Sequence, residues 1–134
     1  MTDYKSLIDD AIRARELSYS PYSLFKVGAA LLSSDGTVYT GTNIENASFG
    51  ETVCAERVAI FKAVAEGKRS FSAIAIVGGH GKITDYTFPC GGCRQVMSEF
   101  CSHDLKIILF NGKEMQIHTL GQLFPSVFSK ESLK

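Results

Sequence analysis

The chain has 134 residues, 45% of them hydrophobic and 21% charged, with 14 basic side chains balanced by 14 acidic ones. That length fits one domain of ordinary size with a proper buried core, and the scattered, balanced charge lacks the basic excess that nucleic-acid binders use on phosphate. No apolar run reaches the roughly 20 residues of a membrane span, and Asp3, Lys5, Asp9, Asp10, Arg13 and Arg15 interrupt any secretory signal.

Within residues 3–17, Leu7, Ile8, Ala11 and Ile12 form one stripe, the spacing of a helix with a packed face. Ser18-Tyr19-Ser20-Pro21 ends it, because the residue before proline disfavours helix. Residues 26–32 predict a strand, Ser34-Asp35-Gly36 a turn, and 37–40 the returning strand of a hairpin. If Asn43-Ile44-Glu45-Asn46 stays extended, Asn43 and Glu45 share one face and Ile44 takes the other. Residues 55–66 predict a helix, apolar on most sides through Val58, Ala59, Ile60, Phe61 and Val64 and therefore largely buried. Gly67 closes it in a left-handed conformation.

Residues 73–77 are continuously apolar, as in a strand covered on both faces. Pro89 stands where helices start, and 91–100 predict a helix. Residues 105–110 predict a buried strand, and Asn111-Gly112 turns it into an antiparallel partner over 114–118. A short helix fits before Pro125. Helices alternating with strands predict one α/β domain over 1–134, in layers around a mixed sheet. The five strands end in an antiparallel pair.

The chemistry concentrates in Cys54-Ala55-Glu56 and Pro89-Cys90-Gly91-Gly92-Cys93. The cysteines are expected in a reducing cytoplasm, where close spacing means metal or catalysis more often than disulfides. A C-x-x-C pair alone is ambiguous among half a structural zinc site, a redox pair and two core thiols. Three cysteines are more informative, because catalytic zinc takes three protein ligands and keeps a fourth position for water. Cys54 and Cys90 both fall at predicted helix starts, where free N–H groups lower a thiol's pKa. Glu56, at a first turn, can project past the helix end and pass protons at the open position. Arg57, which follows Glu56, and Arg94, which follows Cys93, are both candidates to hydrogen-bond a sulfur and offset three thiolate charges. Cys101 reads as a buried structural thiol, His80, His103 and His118 as isolated, and Glu51 as solvated.

These blocks resemble the zinc-dependent cytidine deaminases, in particular the short homotetrameric enzymes of pyrimidine salvage. The resemblance rests on Phe25-Lys26-Val27-Gly28-Ala29-Ala30, Asn43-Ile44-Glu45-Asn46-Ala47-Ser48, Cys54-Ala55-Glu56-Arg57 and Pro89-Cys90-Gly91-Gly92-Cys93-Arg94-Gln95, in that order along the chain. It implies a three-layer α-β-α fold and one Zn²⁺ per subunit on Cys54, Cys90 and Cys93. Its known chemistry is attack by zinc-activated hydroxide on C4 of cytosine, with Glu56 as proton shuttle, releasing ammonia and leaving uridine or deoxyuridine. It further implies that the Ala55 backbone meets the pyrimidine edge, Asn43 and Glu45 bind sugar hydroxyls, and Phe25 packs near the ligand. Phe128 is implied to reach a neighbouring subunit's ligand, which requires the homotetramer. Phe49 stands where tyrosine is common in the family, and Gly92 where alanine is common. The rival readings are a deaminase of a blasticidin S-type nucleoside, a polynucleotide-editing deaminase, and a non-catalytic zinc module for protein interaction.

Overall fold

A computed structural model describes residues 3–134. Helix α1 spans Lys5–Arg15, strand β1 Lys26–Ser33, β2 Val38–Thr42, helix α2 Ala55–Ala65 and strand β3 Phe71–Gly79. Helix α3 covers Gly91–Phe100, strands β4 and β5 Lys106–Phe110 and Met115–Thr119, and the short α4 Leu120–Leu123. One open sheet holds all five strands in the order β2-β1-β3-β4-β5. Only the β3–β4 pair is parallel; the other neighbours, including the final β4–β5 hairpin, are antiparallel. A parallel pair needs a crossover, and α3 provides it.

Strand periodicity divides the core into two layers. Val27, Ala29, Leu31, Ile74, Ile76, Ile107 and Leu109 face α2 and α3, together with Ala59, Ile60 and Met97. Their alternates Ala30, Ala73, Ala75, Val77 and Ile108 face Leu7, Ile8 and Ala11 of α1. The α1 side is lined by smaller residues, so that helix lies closer. At Gly28, a Cβ would fall 2.0 Å from the Ala11 carbonyl oxygen and 2.5 Å from the Arg15 nitrogen, a place only glycine fills.

The structure lengthens several predicted elements and moves one face. The third strand begins at Phe71 and runs through Gly78 to Gly79, beyond the apolar run that announced it. Gly67 closes α2 with φ +91°, as the left-handed cap requires. The largely buried α2 needs correcting: its Ala55, Ala59, Ile60 and Ala63 are buried, but Phe61 is 46% exposed and Lys62 is exposed. A helix apolar all round gives no periodic clue to its outer face.

Candidate active site and metal centre

Both helices facing the larger core begin with a cysteine. Cys54 is the N-cap of α2 (φ −73°, ψ 154°), and Cys90 the N-cap of α3 (φ −70°, ψ 170°). Extended backbone at a cap turns the side chain past the helix end, where the first N–H groups point outward. At Cys90 the sulfur accepts from the Cys93 amide at 3.4 Å. The sulfurs of Cys54 and Cys90 are 3.8 Å apart and those of Cys90 and Cys93 3.5 Å, with all three within 4.8 Å of one another.

Those separations are a test of metal fit. Four ligands at about 2.3 Å around tetrahedral zinc place sulfurs about 3.8 Å apart. Among the described residues, this is the one cluster of three or more Cys, His, Asp or Glu ligand atoms. The Arg57 Nη2 donates to the Cys54 sulfur at 3.4 Å, while the buried Arg57 Nε has no partner. A guanidinium with an unmet donor beside three sulfurs suits the excess negative charge that thiolates carry when they hold a divalent ion. The cluster fits one zinc ion per chain. Arg94 takes no part: its guanidinium donates to the carbonyls of Pro89 and Leu123, at 2.8 and 2.6 Å, and fixes the start of α3.

The neighbouring Cys93 sulfur is the chief influence holding the Cys54 thiol down at about 5, and Cys93 is itself pushed upward; Arg57 adds to the lowering of Cys54. Glu56 is 4% exposed, and burial pushes its carboxyl up to about 7, with the adjacent Cys54 charge adding to the rise. From the first turn of α2 it lines the same cavity as Cys54. Gly41 of β2 makes room for this helix start: a Cβ there would lie 2.3 Å from the Ala55 oxygen and 2.6 Å from the Ala59 nitrogen.

A cavity of about 300 Å³ opens at this point. Its lining brings together Phe25, Asn43, Glu45, Cys54, Ala55, Glu56 and Cys90. Backbone bridges from Ile44 to Tyr19 and Val53 hold this segment extended, and strand alternation then puts Asn43 and Glu45 on one face. Asn43 is 7% exposed; its Oδ1 accepts from Val27 N and Ser18 Oγ, and its Nδ2 donates to the Phe25 carbonyl. One amide hydrogen is left for a ligand. Glu45 accepts from the amides of Tyr22 and Ser23 at 2.9 and 3.1 Å and from the Ser23 hydroxyl, which chiefly holds its carboxylate below the usual range.

Phe128 stays outside the cavity, 62% exposed, with its carbonyl accepting from Gln95 Nε2. Cys101 follows the end of α3, and burial pushes its thiol up to about 12. Sequence reasoning missed Ser23, Thr52, Val53, Thr87 and Phe88 on the lining. Phe88 directly precedes the Pro-Cys motif and was legible by proximity; Thr52 and Thr87 carry no local signal. A more open groove of about 460 Å³ adjoins the cavity, sharing Glu45 and Val53 and running on to Ile44, Val58, Phe61 and Ala65, and contains no cysteine.

Residues 1–109 match the family model described as the cytidine and deoxycytidylate deaminase zinc-binding region. The chain belongs to this family. It is 49% identical over 133 residues to a cytidine deaminase of Sporosarcina psychrophila, covering 98% of this chain and 95% of that one. With a cytidine deaminase of Halalkalibacterium halodurans the identity is 50% over 132 residues, covering 98% of each. A crystal structure of cytidine deaminase from Burkholderia pseudomallei matches with a TM-score of 0.86 at 46% identity, over 95% of this chain and 100% of that one. This deaminase-family chain therefore has the three-layer fold and mixed sheet of its structural relatives, and belongs to a class of zinc-dependent hydrolases.

Proposed function

We propose that the chain, as one domain, hydrolyses cytidine and deoxycytidine to uridine and deoxyuridine with release of ammonia. The observation that carries the reading is the buried Glu56 carboxyl in the same cavity as the Cys54 and Cys90 thiols. When bound, zinc supplies a Lewis acid that makes water a nucleophile near neutral pH. Glu56 takes a proton from that water and gives it to N3 of the cytosine ring, then takes the second proton from the hydroxyl now on C4 and gives it to the departing amine, which leaves as ammonia. Its environment, which favours exchange near neutral pH, suits an acid that must also be a base. The Ala55 backbone meets the pyrimidine edge, the free amide hydrogen of Asn43 and the Glu45 carboxylate bind sugar hydroxyls, and Phe25 walls the site. The three-ligand set speaks against a closed structural zinc site, and the sugar-binding pair against a polynucleotide substrate.

The same reading includes a homotetramer, a cytoplasmic location and a place in pyrimidine salvage. Four free cysteines suit a reducing compartment. Exposed Tyr22, Phe49, Phe61 and Phe128 are the kind of surface that subunits cover. Phe128 is free to complete a neighbour's cavity, and Phe49 packs edge-on to Tyr22 with centroids 5.7 Å apart.

Zinc-loaded protein mixed with cytidine is expected to yield equal amounts of uridine and ammonia. Glu56→Gln is expected to retain zinc while kcat drops about 10²–10⁴-fold. Equal rates in both proteins would remove Glu56 from proton transfer. No conversion by folded, zinc-containing protein would overturn the substrate.

A further inference from the structure

Arg15 ends α1, on the far side of the sheet from the cysteine cluster, yet it is only 6% exposed. Its one acidic neighbour, Glu16, lies 3.6 Å away and is mostly solvated. A buried guanidinium with so weak an ion pair is costly unless its donors are met. They are met by backbone. Nε donates to the Lys26 carbonyl at 3.2 Å; Nη2 donates to the Gly79 carbonyl at 2.8 Å and to the Gly81 carbonyl.

These three carbonyls bracket two rings. Lys26 follows Phe25, and Gly79 and Gly81 flank His80. The Phe25 and His80 rings meet edge to face, with centroids 5.2 Å apart and planes at 81°. Phe25 forms part of the wall between the nucleoside cavity and a second cavity of about 350 Å³, which His80 and Lys82 line. Gly78 lets the Phe25 ring lie against β3, since a Cβ there would come 3.1 Å from its Cε2. Phe25 is thus held on its backbone by Lys26, on one side by Gly78 and at its edge by His80. One planar fork fixes the first and the last of these supports together, a task its rigid donor geometry suits.

We infer that Arg15 is a positioning residue for nucleoside binding: by tying the Gly79–Gly81 loop to the start of β1, it holds His80 against Phe25 and so sets the cavity wall. The inference rests on the deaminase reading above. Removing the fork loosens the wall without touching the metal ligands or Glu56, so binding is lost equally from ground state and transition state.

The test compares wild type, Arg15→Met, Arg15→Lys, His80→Ala and the Arg15→Met/His80→Ala double variant, each zinc-loaded. Arg15→Met is expected to raise KM for cytidine about tenfold with kcat and zinc content nearly unchanged. Lysine reaches a single carbonyl, so Arg15→Lys falls between. His80→Ala, on an exposed loop, is expected to raise KM without lowering Tm. The double variant is expected to be no worse than Arg15→Met alone, because both changes remove one support. Unchanged KM in His80→Ala, a lowered Tm with normal KM in Arg15→Met, or fully multiplying KM effects would each overturn the inference. Wild-type protein that turns over no cytidine would sink the deaminase reading and this inference with it; active wild type with unmoved variants sinks this inference alone.

Discussion

At the start of α2, the cap residue Cys54 takes no backbone N–H of its own helix onto its sulfur; the sulfur accepts instead from the Arg57 guanidinium, and the Glu56 carboxyl beside it is buried in the cavity. At the start of α3, the cap residue Cys90 accepts the Cys93 amide, and the first turn supplies two sulfurs and no acid. Both starts leave unpaired N–H groups at the end of the helix that carries the sulfurs, but they are seated differently. Gly41 brings β2 against the backbone of α2 with no room for a methyl group. Gly92 has space: a Cβ there meets only the Cys90 sulfur, at 3.9 Å. The cap thiol of α2 therefore stands on a helix start pressed against a strand, whereas the first turn of α3 keeps an exposed side. Local sequence places the thiols; the packing beneath each helix decides how firmly.

The sharpest way to break the pairing is Cys54→Ser. Altering a neighbour of a ligand costs about 10–100-fold in metal affinity, and losing the ligand itself costs more. Purified Cys54→Ser is expected to hold no zinc by elemental analysis, to form no detectable uridine and to melt lower than loaded wild type. Retained zinc would place the third ligand elsewhere. Next comes the glycine contrast in denaturant unfolding. Gly41→Ala is expected to cost about 1–3 kcal/mol by overpacking. Gly92→Ala is expected to be neutral or to stabilise by less than about 1 kcal/mol. Equal effects would erase the difference in seating.

Arg57→Met tests whether α2 tunes the cluster as well as ligating it. kcat/KM is expected to fall about 10–100-fold with most zinc retained, and unchanged turnover would count against that role. The smallest effect is expected away from both helices, at the β1–β2 turn. There the Lys68 ammonium, 2.6 Å from Asp35, and then the Thr37 amide hold the Asp35 carboxyl below its usual range. A depressed carboxyl stabilises the fold above its unfolded value of about 4, and that gain is lost as pH falls through the folded value. Lys68→Met is expected to lower Tm slightly at pH 7, with the gap to wild type closing in acid. A gap that is constant down to acid pH would mean packing rather than charge.

The helices with cysteine caps, the Asn111-Gly112 hairpin and the Gly67 stop were legible because each depends on residues adjacent in sequence. So was the shared face of Asn43 and Glu45, which is simple strand alternation. What sequence concealed depends on partners far away. Arg57 and Arg94 each stand just after a motif residue, Glu56 and Cys93, and only the turn of each helix shows that one meets a sulfur and the other two carbonyls. Arg15 looks like one more charge on an amphipathic helix, yet its partners include carbonyls 64 and 66 residues away. Phe61 matched the core pattern but stands on the outer face of α2, where periodicity is uninformative. The same limit applies to Thr87, which enters the cavity lining only because β3 ends beside Phe25.

The parallel pairing of β3 with β4 has a consequence for the order of assembly during synthesis. All three thiols have been made once Cys93 emerges, but α3 is the crossover between β3 and β4, and its seat beside α2 is set when Lys106–Phe110 pairs with Ala73–Ile76. Contacts of that sequence span form late, after local helices and hairpins. The three sulfurs thus depend, for their meeting, on a strand made after the last of them.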